Sequence, residues 1–330
     1  LFDEWALFRF ELAQIGTISI RLEKLQKAGV TAESAFRAGF VCLMGKPNVG
    51  KSTLMNQIVG QKVSIVSNKP QTTRRNIRGI AHGEHFQIVF IDTPGVHEPH
   101  TRLGKSMVDQ ARASTSEADA ILYVADGSHH PGEMDRQIAE FINASENLKQ
   151  PRLLCMNKMD LLKAEDVQRN VDAYTTLLGT ETYMLTTANR GVNVDRLQDL
   201  IVAALPEHAP YFESDEFTDQ SSRFLAAELI REKILQASRQ EVPHSVAVMI
   251  DQWDQSPTLT RISATILVEK ASQRAILIGK QGQFIKQVGI LSRAEIEKLV
   301  ATQVFLELHV KVEEGWRMNP RLLHELEYSE

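Results

Sequence analysis

The segment Gly45-Lys46-Pro47-Asn48-Val49-Gly50-Lys51-Ser52 fits the pattern G-x-x-x-x-G-K-[ST], and few folds can present such a segment usefully. The apolar run Phe40-Val41-Cys42-Leu43-Met44 before it reads as a buried strand, and Thr53 to Val59 after it reads as a helix. A loop in that position can wrap a polyphosphate closely, because its glycines let successive N–H groups and the helix N-terminus point at the anion. Gly45 to Ser52, with Thr53, are therefore expected to bind phosphate. Lys51 is expected to reach the β- and γ-phosphates, and the Ser52 hydroxyl to ligate Mg²⁺.

Two more motifs stand at strand ends. Asp92-Thr93-Pro94-Gly95 follows Ile88-Val89-Phe90-Ile91, and an Asp there is where such a fold holds Mg²⁺ through water. Asn157-Lys158-Met159-Asp160 follows Leu153-Leu154-Cys155-Met156. A carboxylate at Asp160 can accept from N1–H and the 2-amino group of guanine, whereas adenine has an acceptor at N1 and no 2-amino group. The pattern thus points to GTP and GDP over ATP. Thr187-Ala188, after Tyr183-Met184-Leu185, completes the set, with the Ala188 N–H expected to meet guanine O6.

The chain has 330 residues, 43% hydrophobic and 24% charged, which suits two soluble domains. It contains no apolar run of the roughly 20 residues that a membrane span needs. A formal net charge of −5 argues against indiscriminate nucleic-acid binding, so any RNA contact must come from a local patch. Cys42 and Cys155 fall in expected core strands, as small buried hydrophobes of a reducing cytoplasm, and the histidines form no metal-ligand cluster. Residues 1–38 are expected to be a poorly ordered extension; Glu4, Glu11, Glu23 and Glu33 spoil a transit-peptide pattern.

From residue 39 to 205 strands and helices alternate, with strands near 40–44, 77–82, 86–91, 120–126, 152–156 and 181–185. This is the pattern of an α/β domain with a mainly parallel sheet covered on both faces. Residues 206–221 turn to Pro, acidic and polar residues, an expected exposed linker. Residues 222–330 read as αββααβ, an α+β domain, with Ile278-Gly279-Lys280-Gln281-Gly282 between two helices and Lys286 one turn on. A Gly-x-x-Gly loop can press its N–H groups onto a single-stranded sugar-phosphate backbone, although a plain helix-to-helix turn uses the same glycines.

Together with Pro70-Gln71-Thr72-Thr73-Arg74 and the ending Gly315-Trp316-Arg317, these motifs resemble the Era family of GTPases from about Gly39 onward. The resemblance implies a P-loop GTPase domain followed by a type II KH domain, Mg²⁺-dependent hydrolysis of GTP, and binding of the 3′ end of 16S rRNA during maturation of the small ribosomal subunit. It also implies a monomer in the cytoplasm, with peripheral contact at the inner face of the membrane. Lys51, Thr73 and Gly95 would act in hydrolysis, with Thr73, or its neighbour Thr72, on Mg²⁺. Ile278 to Gly282 and Lys286 would contact RNA. Val96 stands where many GTPases carry a water-orienting Gln, so slow intrinsic turnover is expected, with charge stabilisation from outside the chain. K⁺ held by the Asn48 amide oxygen is one source; otherwise Asn48 only shapes the loop. An RNA-binding scaffold merely stabilised by GTP, or a C-terminal domain that binds protein or membrane, are the competing readings.

Overall fold

The computed structural model describes residues 35–69, 71–94, 101–144, 150–238, 242 and 245–328. The extension expected over residues 1–38 lies outside them except for its last four positions. Strands β1 (Arg37–Met44), β3 (Phe86–Asp92), β4 (Ala120–Asp126), β5 (Arg152–Asn157) and β6 (Tyr183–Leu185) are parallel, and β2 (Ile77–Gly83) is antiparallel to β3. Their order is β2-β3-β1-β4-β5-β6. The parallel strands are nearly continuous apolar runs because both faces are covered. On one side, α1 (Lys51–Val59) and α5 (Val194–Ala204) bury Leu54, Met55, Leu197 and Ile201 against Val41, Leu43 and Val124. On the other, α3 (Glu133–Asn143) and α4 (Val167–Leu178) bury Ile138, Ile142, Val171 and Tyr174 against Met44, Tyr123 and Met156. Helix α2 (Arg102–Glu117) begins at Thr101, whose side chain caps the Gly104 N–H. The motif loops leave the C-terminal ends of β1, β3, β5 and β6, so the topology gathers them at one edge.

Segment 206–221 is exposed but fastened. Gln87, buried in β3, accepts from the N–H groups of Tyr211 and Phe212 and donates to the Phe212 carbonyl. The Ile80 N–H of β2 donates to the Phe217 carbonyl at 2.9 Å, and Arg78 pairs with Asp219 at 2.9 Å. A free sheet edge invites pairing with other chains, and this segment covers the β2 edge.

The second domain has α6 (Ser222–Ala237), β7 (Ala247–Gln255), β8 (Leu259–Val268), α7 (Ala271–Ile278), α8 (Gln283–Val300) and β9 (Gln303–Val312). Its sheet runs β7-β8-β9, with β8 and β9 parallel. A short α9 (Pro320–Glu325), capped by Asn319, closes the described chain. Helix α6 is buried almost all round. Phe224 and Leu225 join the core of the first domain, whereas Ile230, Ile234 and Leu235 join that of the second. Ile65, from the loop after α1, crosses the other way into the second core. No helix among the described residues is long and apolar enough to cross a membrane.

Cys42 and Cys155 are fully buried, and burial pushes both thiols up to about 12. Only the thiolate attacks disulfide reagents. At pH 8 the folded protein is therefore expected to leave both thiols unreacted with Ellman's reagent, and guanidinium-denatured protein to react at both. Rapid labelling of either thiol in the folded state would contradict this packing.

Candidate functional site

A cavity of 460 Å³ opens at the gathered loops, walled by Gly50, Lys51, Ser52, Thr73, Asn157, Lys158 and Asp160 among others. That volume lies within the ~300–1,000 Å³ usual for small-molecule sites. The loop geometry is dictated locally. Gly50 has φ +104°, and a Cβ there would lie 2.3 Å from Asn157 Nδ2, so only glycine fits. Asn157 in turn ties the loops together: it donates to the Val49 carbonyl at 2.8 Å and accepts from the Ala188 N–H at 2.9 Å.

Lys51 Nζ donates to the carbonyls of Gly45 (2.8 Å) and Lys46 (3.0 Å). An ammonium has three donors, so one remains for phosphate. Burial pulls the Lys51 ammonium below its ordinary pKa and pushes the Asp92 carboxyl above its own, and each charge opposes the shift of the other. Asp92 Oδ2 accepts from Ser52 Oγ at 2.5 Å, Ser64 Oγ at 3.0 Å and Thr73 Oγ1 at 3.3 Å. Ser52 and Thr73 hydroxyls are 3.3 Å apart. Asp92 Oδ1 is buried with no donor. The Ser52 and Thr73 hydroxyls gathered at Asp92 Oδ2, with Oδ1 of the same carboxylate unsatisfied, are the hard oxygen donors Mg²⁺ requires, so the residues present fit that ion. The Thr72 hydroxyl instead bonds the Lys69 carbonyl at 2.6 Å, which leaves Thr73 as the threonine aimed at the cluster.

At the base end, Asp160 is nearly buried and has Arg190 at 3.5 Å. Lys158 Nζ pairs with Asp126 at 2.8 Å, and with Ser128 it holds the Asp126 carboxyl below its usual range in spite of partial burial. Thr187 and Ala188 are buried behind the wall, and the Ala188 N–H is given to Asn157; the residue lining the cavity there is Asn189. Val49 and Met159 place their side chains in the core, and Thr93 bonds the Leu43 carbonyl, so any contact they make with nucleotide is through the main chain. Pro47 and Thr53 line the cavity, Pro94 is buried, and the Lys46 side chain reaches Asp135. Gly95, Val96 and His97 lie outside the described residues.

In the second domain, Gly279 has φ +72° and a Cβ on it would lie 2.8 Å from the Phe284 Cβ, so the turn into α8 requires glycine. Gln281 (φ +50°) and Gly282 (φ +74°) continue the left-handed turn, with Lys280, Gln281 and Lys286 exposed and Ile278 half-buried. Helix α8 starts after Gly282, which offers no side chain to cap its first N–H groups.

Sequence reasoning passed over the charges of α6. Glu228, Arg231 and Glu232, one turn apart, are buried against the loop that carries Thr73. Glu232 accepts the Val66 N–H at 2.9 Å and the Lys62 ammonium at 2.6 Å. Arg231 pairs with Glu228 and donates to the Thr72 carbonyl; Glu228 keeps its guanidinium firmly charged despite burial. Arg74 lies over the rings of Trp316 and Tyr328, 5.7 Å from each, and bonds the Val246 carbonyl; burial and the nearby Arg231 lower its pKa to about 10. Leu103 and Met107 of α2 pack with Trp316, Leu323 and Tyr328.

The strand order, the phosphate loop and the base-end Asp define a P-loop GTPase domain, and the β7-β8-β9 sheet with the Gly279–Gly282 turn between α7 and α8 marks a KH domain after it. A family model described as 50S ribosome-binding GTPase matches residues 40–158, and one described as KH domain matches residues 241–317. GTPase Era of Leuconostoc citreum is 46% identical over 301 residues, 91% of this chain and 99% of that protein. GTPase Era of Heliobacterium modesticaldum is 44% identical over 295 residues, 89% and 98% respectively. Era solved with MgGDPNP and nucleotides 1506–1542 of 16S ribosomal RNA superposes with a TM-score of 0.85 at 37% identity, covering 89% of this chain and all of that one. An Aquifex aeolicus Era variant bound to GDP and AlF4⁻ gives the same values. The chain belongs to the Era family of GTPases, and its reaction is hydrolysis of GTP.

Removing Arg231 alone strands Glu228 in the interface. Arg231→Met is expected to cost about 3–5 kcal/mol of unfolding free energy by urea titration, and Arg231→Met with Glu228→Leu to recover most of it. Equal losses in the single and double variants would show that the pair is not what matters.

Proposed function

We propose that this GTPase binds the 3′ region of 16S ribosomal RNA through its KH domain, under control of bound nucleotide, and acts in maturation of the small ribosomal subunit. The observation that carries the reading is the exposed Gly279–Gly282 turn with Lys280 and Lys286 at its rim. The Era structure solved with that RNA segment supports it.

Lys51 holds the β- and γ-phosphates, and the loop N–H groups from Gly45 to Thr53 cradle them. Ser52, Thr73 and Asp92 would hold Mg²⁺, which when bound neutralises charge on the phosphates. Asp160 selects guanine. Since Val96 cannot orient water, added stabilisation comes from outside the chain, and K⁺ at Asn48 is part of this proposal. The Asn48 Nδ2 donates to the Asn68 carbonyl at 2.9 Å, and no described residue donates to its amide oxygen. Thr73 and Thr72 belong to the loop that α6 grips, so phosphate-dependent ordering of that loop bears directly on the KH domain.

Turnover measured with and without an RNA of the 16S 3′ end, in KCl and in NaCl, tests the proposal. Stimulation by RNA is expected, lost with Lys280→Asp plus Gly282→Asp, and turnover is expected to be higher in KCl. RNA binding unchanged in that double variant would reject the KH assignment, and equal rates in the two salts would reject the K⁺ site. Asp160→Asn is expected to weaken GTP binding at least about tenfold by calorimetry, since a charged hydrogen-bond partner is worth about 1.5–3 kcal/mol. Unchanged affinity would remove Asp160 from base recognition.

A further inference from the structure

The Lys46 side chain does not reach toward the cavity. Its Nζ lies 2.8 Å from Oδ2 of Asp135, 89 positions later in the chain at the start of α3. Asp135 is completely buried. Its Oδ1 accepts from the Tyr123 hydroxyl at 2.8 Å, and Oδ2 also accepts the Gly132 N–H at 2.8 Å. Tyr123 sits on β4 opposite Met44, the last residue of β1 before the phosphate loop. Burial, with Asp135 beside it, pushes the phenol well up, so it donates at any working pH. The carboxylate is therefore held from two sides before Lys46 arrives, and a fixed buried anion is a firm anchor for a cation.

The main chain of Lys46 completes the connection. Its carbonyl, with that of Gly45, accepts two of the three Lys51 donors. Where those carbonyls stand decides where the third donor points. We propose that Asp135 is a positioning residue for GTP hydrolysis: with Tyr123 it anchors the Lys46 side chain, and the anchored turn seats Lys51. The inference rests on Lys51 being the lysine that meets the transferred phosphate.

The Lys46 side chain points to Asp135 and not into the cavity, so its loss removes neither the loop N–H groups nor Asp160, the groups proposed to hold the nucleotide in its ground state. Lysine placement matters most where charge develops, and misplacement by about 1 Å can cost on the order of 10²-fold. Loss of the clamp should therefore appear in kcat, with GDP affinity little changed. Asp135 also caps α3, and a purely structural role would lower stability without this kinetic signature.

Lys46→Met, Asp135→Asn and the double variant separate the two roles, because Asn still accepts the Gly132 N–H and the double variant leaves no buried charge unpaired. Each is expected to lower kcat roughly tenfold to a common level, with GDP affinity within about threefold of the parent. Lys46→Arg, which keeps a cation in reach, is expected to restore at least about half the rate. Lys51→Ala serves as a control and should abolish turnover. If Lys46→Met and the double variant turn over within about twofold of the parent while their thermal midpoints fall, the pair only fastens α3 and the inference is wrong. A Lys51→Ala variant of undiminished activity would instead overturn the role of Lys51 itself.

Discussion

A guanidinium removed from water is held by the few acceptors it meets, and at Arg231, whose Nη1 meets none, one of those acceptors belongs to a segment that nucleotide is expected to reorganise. Glu228 supplies the charge, but the Thr72 carbonyl fills a further direction. Glu232, on the same face, takes the Val66 N–H. Helix α6, which leads into the KH domain, therefore holds the Thr73 loop by its main chain at both ends, whatever side chains lie between. If that loop departs, Arg231 loses the Thr72 carbonyl and Glu232 loses the Val66 N–H, both in a buried interface. A hydrogen bond to a charged group is worth about 1.5–3 kcal/mol, which matches the ~1–3 kcal/mol of typical allosteric coupling. The loop cannot be released without either water entering the interface or the KH domain giving way.

The second contact between domains reinforces the first at one residue. The Tyr328 hydroxyl lies 3.4 Å from Glu228, while its carbonyl accepts from Ser106 and Gln110 on α2. Helix α2 follows the Asp92–Gly95 motif, so it is the element that motif would move. Its Leu103 and Met107 rest on Trp316 and Leu323. Arg74, between Trp316 and Tyr328, joins the same cluster from the Thr73 loop. The Thr73 loop and the segment after Asp92 thus both meet the Trp316–Tyr328 cluster, and displacement of either disturbs packing on which the other rests.

The motif loops were legible because their chemistry demands fixed residue types next to buried strands: Lys51 and Ser52 after β1, Asp92 after β3, Asp160 after β5. The sheet was legible for a related reason, since parallel strands covered on both faces leave uninterrupted apolar runs. The α6 charges were not. A helical period assumes one face on a core and the other in water, and Glu228, Arg231 and Glu232 occupy what would be the wet face of an isolated domain. Only the placement of the first domain makes that face dry. Lys46 and Asp135 were hidden by their separation along the chain, and Asp135 reads as an ordinary first-turn acid of a helix. At the base end, the motif named Thr187 and Ala188, whereas the described cavity is walled by Asn189, because the Asn157 side chain takes up the Ala188 N–H.

The fastening of segment 206–221 limits what motion these contacts can drive. A composition of Pro, Glu and Ser suggests a loose tether, yet hydrogen bonds run along it from Pro206 to the Arg78–Asp219 ion pair. Helix α6 begins only three residues later, at Ser222, with Ser221 capping the Phe224 N–H. The backbone left to act as a hinge is therefore Gln220 and Ser221, together with whatever the α6 interface permits. Two residues can absorb a rotation but not a long excursion. A change in nucleotide should accordingly tilt the KH domain about the β2 edge and re-aim the Gly279–Gly282 loop while the linker stays in place, which is a geometry suited to gripping or releasing an RNA strand already at hand.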